Sequence, residues 1–346
     1  MEQVEVLILP KTLHVEVVER AGESHERYFF HLIFRNRAGG TVTAEQIVLT
    51  LKNEAGDARL LHTFEGDSLR RLFEKSQPFI EDGEGTLEIP PGRARGIVEY
   101  RLEGDGASGF TEAECLFSGR DAEGQSVRGR RRRGLSRRGA LTRLLLPLRG
   151  RWWVAGGHFG LEPHSRSHLP SLAYAYDFIQ LGDGGKSYRN DGLANEDYYA
   201  YGQPVFASAE GRVVTAVGGV AENLPSRTPR RNPEDYSPTA DTPMLGNHVV
   251  IVHEGGEHTF YAHLQPSLSA RAGERVATGQ VIGKVGNSGE STEPHLHFHL
   301  ADGPSVSNAE GIPVAFDGWK EDAFGIMSAP AGHATVLSRE MIESLD

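Results

Sequence analysis

Histidines recur at every second position of the segment PHLHFHL, residues 294–300. Residues two apart in a β-strand point to the same face, so His295, His297 and His299 would share one side while Leu296 and Phe298 enter the core. A neutral imidazole can bind zinc, and it can also exchange protons near neutral pH. The spacing therefore indicates a metal or acid–base site, although a His-x-His pair alone is a weak signal.

A carboxylate and further histidines could complete such a site. Asp177 projects from the otherwise apolar strand AYAYDFIQL, and a buried carboxylate requires a cation or hydrogen-bond donors. His168 and His164 both precede it, and either could fold back beside it across a turn. Two histidines and one carboxylate would leave the fourth position of a tetrahedral zinc ion open for water. His263 lies in TFYAHLQP, where by itself it would pass for a surface histidine at a strand end.

The elements that must position these residues are short strands. The 42 glycines and 18 prolines favour many turns, which indicates a mainly β protein. NHVVIVH and HTFYAHL, separated by EGGE, predict a hairpin in which Gly255 and Gly256 adopt positive φ. Residues 218–246 are proline-rich and lack periodicity, so we expect a flexible loop beside the site. GIPVAFDGW predicts an edge strand, and the terminal SREMIESLD predicts a short helix.

The first 127 residues predict a separate domain. Short β-branched and aromatic runs recur there between turn signals, a pattern typical of an antiparallel β-sandwich, with an immunoglobulin-like arrangement as a guess. DSLRRLFEK, from Asp67, interrupts the strands as a predicted short helix. Cys115, the only cysteine, is expected to be a core thiol. Nothing in this part resembles a chemical site, so we expect an accessory binding or spacer module.

An arginine-rich segment separates the two predicted domains. Residues 128–151 carry ten arginines and no acid, although the whole chain has a formal charge of -11. Because like charges repel and glycine resists ordering, we expect a solvated linker, or alternatively an arm that binds an anionic partner. The acidic remainder of the chain argues against nucleic-acid binding. Residues 152–346 would then form the second domain.

Several phrases of the second domain resemble a known family in the same order. These are PVFASAEGRVV, GNHVVIVHEGGEHTFYAHL and AGERVATGQVIGKVGNSGESTEPHLHFHL. They resemble the lysostaphin-like and LytM-like zinc endopeptidases, which cleave bacterial peptidoglycan, over about residues 152–317. The resemblance implies a small antiparallel β peptidase domain with its site in a groove between sheets, and one zinc ion per chain.

The resemblance also implies roles for individual residues. Asp177 and His297 would be zinc ligands, together with a histidine that precedes Asp177. The family's usual close spacing, His-x-x-x-Asp, is missing here. His168 is therefore our first choice for that ligand, because its shorter return suits a tight turn, with His164 as the alternative and His158 third.

Two further histidines would act on the water and the oxyanion. The resemblance gives this role to His263 and His295 and leaves open which of them is the base. His299 would either support the metal ligand or be structural, and the latter is slightly favoured. His248 and His253 are interpreted as ordinary strand residues.

Three functions remain open at the level of sequence. The first is a zinc endopeptidase that acts on peptidoglycan cross-links or stem peptides. The second is a catalytically degenerate module that binds or regulates, and the third is a peptidase that acts on a non-wall peptide. No basic and apolar leader follows Met1, and no stretch reaches the roughly 20 apolar residues of a membrane span. Taken literally, this places the chain in the cytoplasm, or in the envelope or outside if another route exports it.

Overall fold

A computed structural model describes residues 3–20, 23–75, 86–105, 109–137, 139–157, 169–225, 242–323, 326–327 and 341–344. The chain divides into two compact units, Met1–Arg138 and Gly139–Asp346. Both units are built mainly from strands, which confirms the predicted fold class. Within the described residues, no helix has the length and apolar character needed to cross a membrane.

The first unit contains one helix and nine strands in its described part. They are β1 Val4–Leu9, β2 Leu13–Arg20, β3 Glu23–Asn36, β4 Val42–Lys52, β5 Ala58–Glu65, α1 Gly66–Lys75, β6 Glu88–Ile89, β7 Ala94–Asp105, β8 Glu112–Arg120 and β9 Ser126–Ser136. The strand order is β1-β3-β2-β9-β8-β4-β5, with β6 beside β4 and β7 beside β3. These pairs are antiparallel except for β2 and β9. The predicted helix is confirmed as α1, with Asp67 in its first turn.

The sheet of the first unit curls over its own core. Phe34 on β3 lies 5.3 Å from Phe117 on β8, although β2 and β9 separate these strands within the sheet. Two parts of the same curled sheet therefore face each other across the core, like the layers of a sandwich. Cys115 is fully buried between them, as predicted for a core thiol, and burial raises the pKa of its sulfhydryl. The immunoglobulin-like arrangement stays a prediction.

The arginine-rich segment is not a linker. Its first part lies in β9, which pairs with β8 from Ser126 to Gly134. Val127 and Gly129 are buried, and a side chain at Gly129 would approach the carbonyl oxygen of Val4 to 2.5 Å. Further along, the segment supplies three leucines to the core of the second unit: Leu144, Leu146 and Leu148. The boundary therefore falls at residue 138, and the predicted linker over 128–151 is wrong.

A buried carboxylate explains why these arginines tolerate one another in a strand. The side chain of Glu114 on β8 is only 3% exposed and lies 2.5 Å from Lys52 Nζ and 2.6 Å from Arg132 Nε. Arg130 also pairs with it. Burial opposes ionisation, but hydrogen bonds from these three cations outweigh it and lower the pKa of Glu114 to about 2. Arginines that pair with Glu114 are less available to an anionic partner. Binding of such a partner stays a prediction.

The second unit contains fourteen strands in its described part. They are β10 Leu144–Leu145, β11 Arg151–Gly156, β12 Tyr176–Ile179, β13 Pro204–Phe206, β14 Gly211–Val217, β15 Asn247–Val252, β16 His258–Leu264, β17 Arg275–Val276, β18 Val281–Lys284, β19 Leu296–Ala301, β20 Phe316–Asp317, β21 Trp319–Ala323, β22 Ile326–Met327 and β23 Met341–Ser344. A helix, α2, spans Thr242–Leu245, and short 3-10 turns span Pro170–Leu172 and Asn195–Asp197.

One ten-stranded antiparallel sheet organises the second unit. Its order is β17-β14-β15-β16-β19-β12-β11-β23-β21-β22, so β19 lies between β16 and β12. A two-stranded sheet of β13 and β18 packs with one face of this sheet, where Val205, Ile282, Tyr261 and Phe298 belong to one core. The opposite face has a smaller core and carries the polar residues described below.

Other predictions for this unit have mixed outcomes. The hairpin is confirmed as β15 and β16, with positive φ at Gly256 and not at Gly255. The terminal helix is wrong, because Met341–Ser344 is a strand between β11 and β21 that buries Ile342. The predicted edge strand appears as Phe316–Asp317, paired with β10. Most of the predicted loop over 218–246 lies outside the described residues.

Candidate active site

Strand β19 places its histidines on one face. Leu296 and Phe298 pack in the main core, as their alternation predicts. His297 and His299 therefore point to the opposite face, and they are 2% and 0% exposed. β19 therefore presents an apolar side to the main core and two buried imidazoles to the opposite face.

Asp177 meets His297 across the sheet. The two residues are directly opposite in the register of β12 and β19, which brings Asp177 Oδ1 to 3.1 Å from His297 Nδ1. On the other side of β19, the partner of His297 is the small Ala262. The same Asp177 oxygen lies 3.4 Å from His295 Nε2. One carboxylate therefore faces two imidazoles in a largely buried setting.

His263 joins this group through an unusual backbone conformation. Its φ is +60°, although it is not a glycine. Tyr261 and Leu264, on either side of it, both pack in the main core, so this conformation interrupts the alternation of β16. The His263 ring lies 4.7 Å from the His295 ring and 5.6 Å from the His297 ring. Positive φ costs a bulky residue roughly 1–3 kcal/mol and often occurs at functional sites.

A glycine allows the chain to pass close behind His263. The Gly286 amide donates to the His263 carbonyl oxygen at 3.1 Å, and Gly286 also bridges to His295. A Cβ at this position would lie 2.5 Å from the Gln265 nitrogen and 2.6 Å from the carbonyl carbon of Leu264. The absence of a side chain therefore lets the segment before β19 approach β16.

Backbone carbonyls fix the protonation pattern of two histidines. His263 Nδ1 lies 2.8 Å from the backbone carbonyl oxygen of Ser288, and His295 Nδ1 lies 2.8 Å from that of Glu293. A carbonyl oxygen can only accept, so each Nδ1 carries a proton and donates it. In the neutral ring, each Nε2 is then the free base. Both histidines are thus oriented alike, with the same nitrogen available for chemistry.

The surroundings shift the pKa values of His263 and His295 in opposite directions. Burial, with His295 and His297 nearby, holds the pKa of His263 well below its usual range. Burial also acts to lower the pKa of His295, but the charge of Asp177 and its hydrogen bond outweigh that effect and raise it. The environment therefore keeps His263 neutral and favours a proton on His295.

Polar residues that the sequence did not single out hold this group together. Ser288 Oγ donates to the backbone carbonyl oxygen of Leu264 at 2.8 Å and accepts from the backbone N–H of Asn247 at 2.9 Å. The Asn247 side chain is fully buried and also donates to Leu264. Ser187 Oγ donates to Glu293 Oε2 at 3.0 Å, which connects a distant loop to the residues before His295. These contacts are long-range, and no local pattern reveals them.

The structure brings together four of the predicted site residues: Asp177, His263, His295 and His297. The histidines proposed as the remaining ligand lie outside the described residues: His168, His164 and His158. Among the residues that are described, no group of three or more His, Cys, Asp or Glu is arranged to hold a metal ion. His248 hydrogen-bonds the Gly246 oxygen, and His253 contacts the Glu210 oxygen and Thr259.

The sequence profile described as peptidase family M23 matches residues 196–309. The chain contains a domain of peptidase family M23. The matched span includes His263, His295 and His297, whereas Asp177 precedes it. The M23 domain thus carries three of the four residues that the fold brings together.

Sequence relatives cover parts of this chain. The glycyl-glycine endopeptidase ALE-1 of Staphylococcus capitis is 30% identical over 161 residues, which are 44% of this chain and 36% of ALE-1. The peptidoglycan DD-endopeptidase ShyA of Vibrio cholerae is 42% identical over 79 residues, 22% of this chain and 18% of ShyA. The DD-carboxypeptidase/endopeptidase Mpg of Neisseria meningitidis is 51% identical over 53 residues, 15% of this chain and 12% of Mpg. The chain therefore spans well under half the length of these relatives.

A solved structure also overlaps the chain in part. The catalytic domain of lysostaphin from Staphylococcus simulans is 22% identical and covers 46% of this chain and 86% of its own, with a TM-score of 0.27.

Proposed function

We propose that this protein is a zinc-dependent endopeptidase that hydrolyses peptide bonds in peptidoglycan cross-links or stem peptides. The observation that carries the proposal is the convergence of Asp177, His263, His295 and His297 at one end of neighbouring strands, three of them within the M23 domain. Two of the similar proteins are a glycyl-glycine endopeptidase and a peptidoglycan DD-endopeptidase, which supports the choice of substrate.

Two of the donor atoms support the choice of zinc. Two donors that bind one tetrahedral zinc ion at about 2.0–2.2 Å lie about 3.3–3.6 Å from each other. Asp177 Oδ1 and His297 Nδ1 are 3.1 Å apart, so a small separation of the two side chains would give this spacing. Asp177 and His297 would hold the ion with a third ligand from the preceding segment, His168 or alternatively His164. One zinc ion per chain is expected.

The chemistry divides between the ion and the two remaining histidines. A bound zinc ion polarises the scissile carbonyl and lowers the pKa of water toward about 7. His263 and His295 each present Nε2, because each Nδ1 donates to a carbonyl. One of them takes the proton of the attacking water, and the other donates a hydrogen bond to the developing oxyanion. Their burial keeps bulk water from competing for these hydrogen bonds.

Metal analysis and digestion of purified peptidoglycan test the proposal together. The purified chain should contain one zinc ion and release peptides detectable by mass spectrometry. A chelator should stop the release, and added zinc should restore it. His297→Ala should lose both metal and activity, whereas the matched control His253→Asn, a buried histidine with its own partners, should keep both. An active His297→Ala variant would contradict the proposal.

A negative result on the substrate is also informative. A folded chain that binds zinc but cleaves neither peptidoglycan nor glycine-rich peptides would favour a non-catalytic binding module. Cleavage of other peptides without action on peptidoglycan would leave a zinc peptidase and refute the wall substrate.

A further inference from the structure

His299, the last histidine of PHLHFHL, contacts His297 on the side of its ring opposite Asp177. His299 Nδ1 is 3.0 Å from His297 Nε2, on the side of the ring away from the nitrogen that faces Asp177. His299 is fully buried. Its ring stacks on Phe260, its direct partner in β16, with centroids 4.1 Å apart and planes 13° from parallel. The stacking fixes the orientation of the His299 ring, and with it the position of Nδ1.

We propose that His299 is a positioning residue that holds His297 in the form that can bind the metal. This inference rests on the proposed function. If His297 Nδ1 binds an ion beside Asp177, that nitrogen must be free of its proton. The single proton of the neutral ring then lies on Nε2, which donates it to His299 Nδ1. Partners of this kind set the tautomer and the angle of a ligating imidazole.

The geometry makes a specific demand on residue 299. The acceptor must sit where Nδ1 sits, two bonds from Cβ, because that atom makes the 3.0 Å contact. In asparagine, Oδ1 is also two bonds from Cβ and can accept. In glutamine, the oxygen is one bond further away and corresponds better to Nε2. In phenylalanine, the ring keeps the stacking on Phe260 but offers no acceptor.

These differences define a set of variants. We expect His299→Phe to weaken zinc affinity about 10- to 100-fold, the usual cost of removing a hydrogen-bond partner of a ligand. His299→Asn should restore the affinity to within several-fold of the unmodified chain, and His299→Gln should restore much less. Zinc affinity is measured by competition with a chromogenic chelator. His253→Asn, which removes a buried histidine elsewhere in this unit, should leave the affinity unchanged.

The pattern separates positioning from simple packing. Thermal unfolding of the metal-free variants reports packing, and it should rank them differently from zinc affinity, since phenylalanine keeps the stacking that asparagine loses. Equal zinc affinity in His299→Phe and the unmodified chain would overturn this inference while leaving the proposed function intact. Equal affinities of the asparagine and glutamine variants would also overturn it. If the unmodified chain binds no zinc, the proposed function itself fails.

Discussion

Neutralising the buried carboxylate of the first unit should cost stability in a way that depends on pH. The change is Glu114→Gln, which mimics the protonated acid. The pKa of Glu114 is lowered from 4.5 to about 2, and each unit corresponds to about 1.36 kcal/mol, so complete coupling would contribute about 3 kcal/mol. Arg130 and Arg132 are 49% and 43% exposed, so solvent screens part of this interaction. We expect a loss of about 1–2 kcal/mol at neutral pH.

The sign follows from the direction of the shift. A carboxylate whose pKa is lowered by folding stabilises the protein above its unfolded pKa, near 4.5, and loses that contribution as pH falls toward 2. The difference between the unmodified chain and Glu114→Gln should therefore be constant above about pH 5. It should shrink below that pH and approach zero below about pH 2, where the native acid itself becomes protonated.

Urea titrations with two probes can assign this effect to the correct unit. The three tryptophans, Trp152, Trp153 and Trp319, all lie in the second unit, so fluorescence follows that unit while far-UV circular dichroism follows both. Glu112→Gln is the matched control, because Glu112 lies on the same strand but is 43% exposed and 3.6 Å from Arg132. A Glu114→Gln variant whose stability matches the unmodified chain at pH 7, or whose deficit persists unchanged at pH 2, would refute this reasoning.

Two further changes test the site in the second unit. His263→Ala should retain zinc but lose hydrolysis by at least about a hundredfold, since general acid–base groups contribute about 10²–10⁴; loss of zinc in this variant would instead make His263 a ligand. Gly286→Ala should lower the melting temperature by several degrees and reduce activity, because its Cβ would lie 2.5 Å from the Gln265 nitrogen; a melting temperature equal to that of the unmodified chain would show that β16 can shift to make room.

The sequence predicts those parts of the site that depend on local periodicity. Alternation in PHLHFHL correctly places Leu296 and Phe298 in the core and His297 on the other face. The hairpin of β15 and β16 also follows from strand runs around a glycine turn. Both inferences use only the period of two in a strand, which the sequence shows directly.

Features that depend on distant partners were not predictable in the same way. Ten arginines in 24 positions favour an unordered linker until Glu114 is known to lie on the next strand. The tail around Ile342 has helical spacing, but two neighbouring strands recruit it into the sheet. Likewise, the positive φ of His263 interrupts an alternation that the surrounding letters suggest is regular. In each case a tertiary contact outweighs the local preference.

Strand β19 has a consequence for how preparations of this protein should be judged. A slip of one residue in its pairing would turn the histidines into the main core and expose Leu296 and Phe298 on the opposite face. Burying imidazoles in place of leucine and phenylalanine would destabilise the unit, so a well-packed molecule with a misaligned site is disfavoured. Correct pairing of β19 and the convergence of His297 with Asp177 therefore arise together. If the proposed zinc site is correct, the number of zinc ions bound in a sample should equal the number of correctly folded second units.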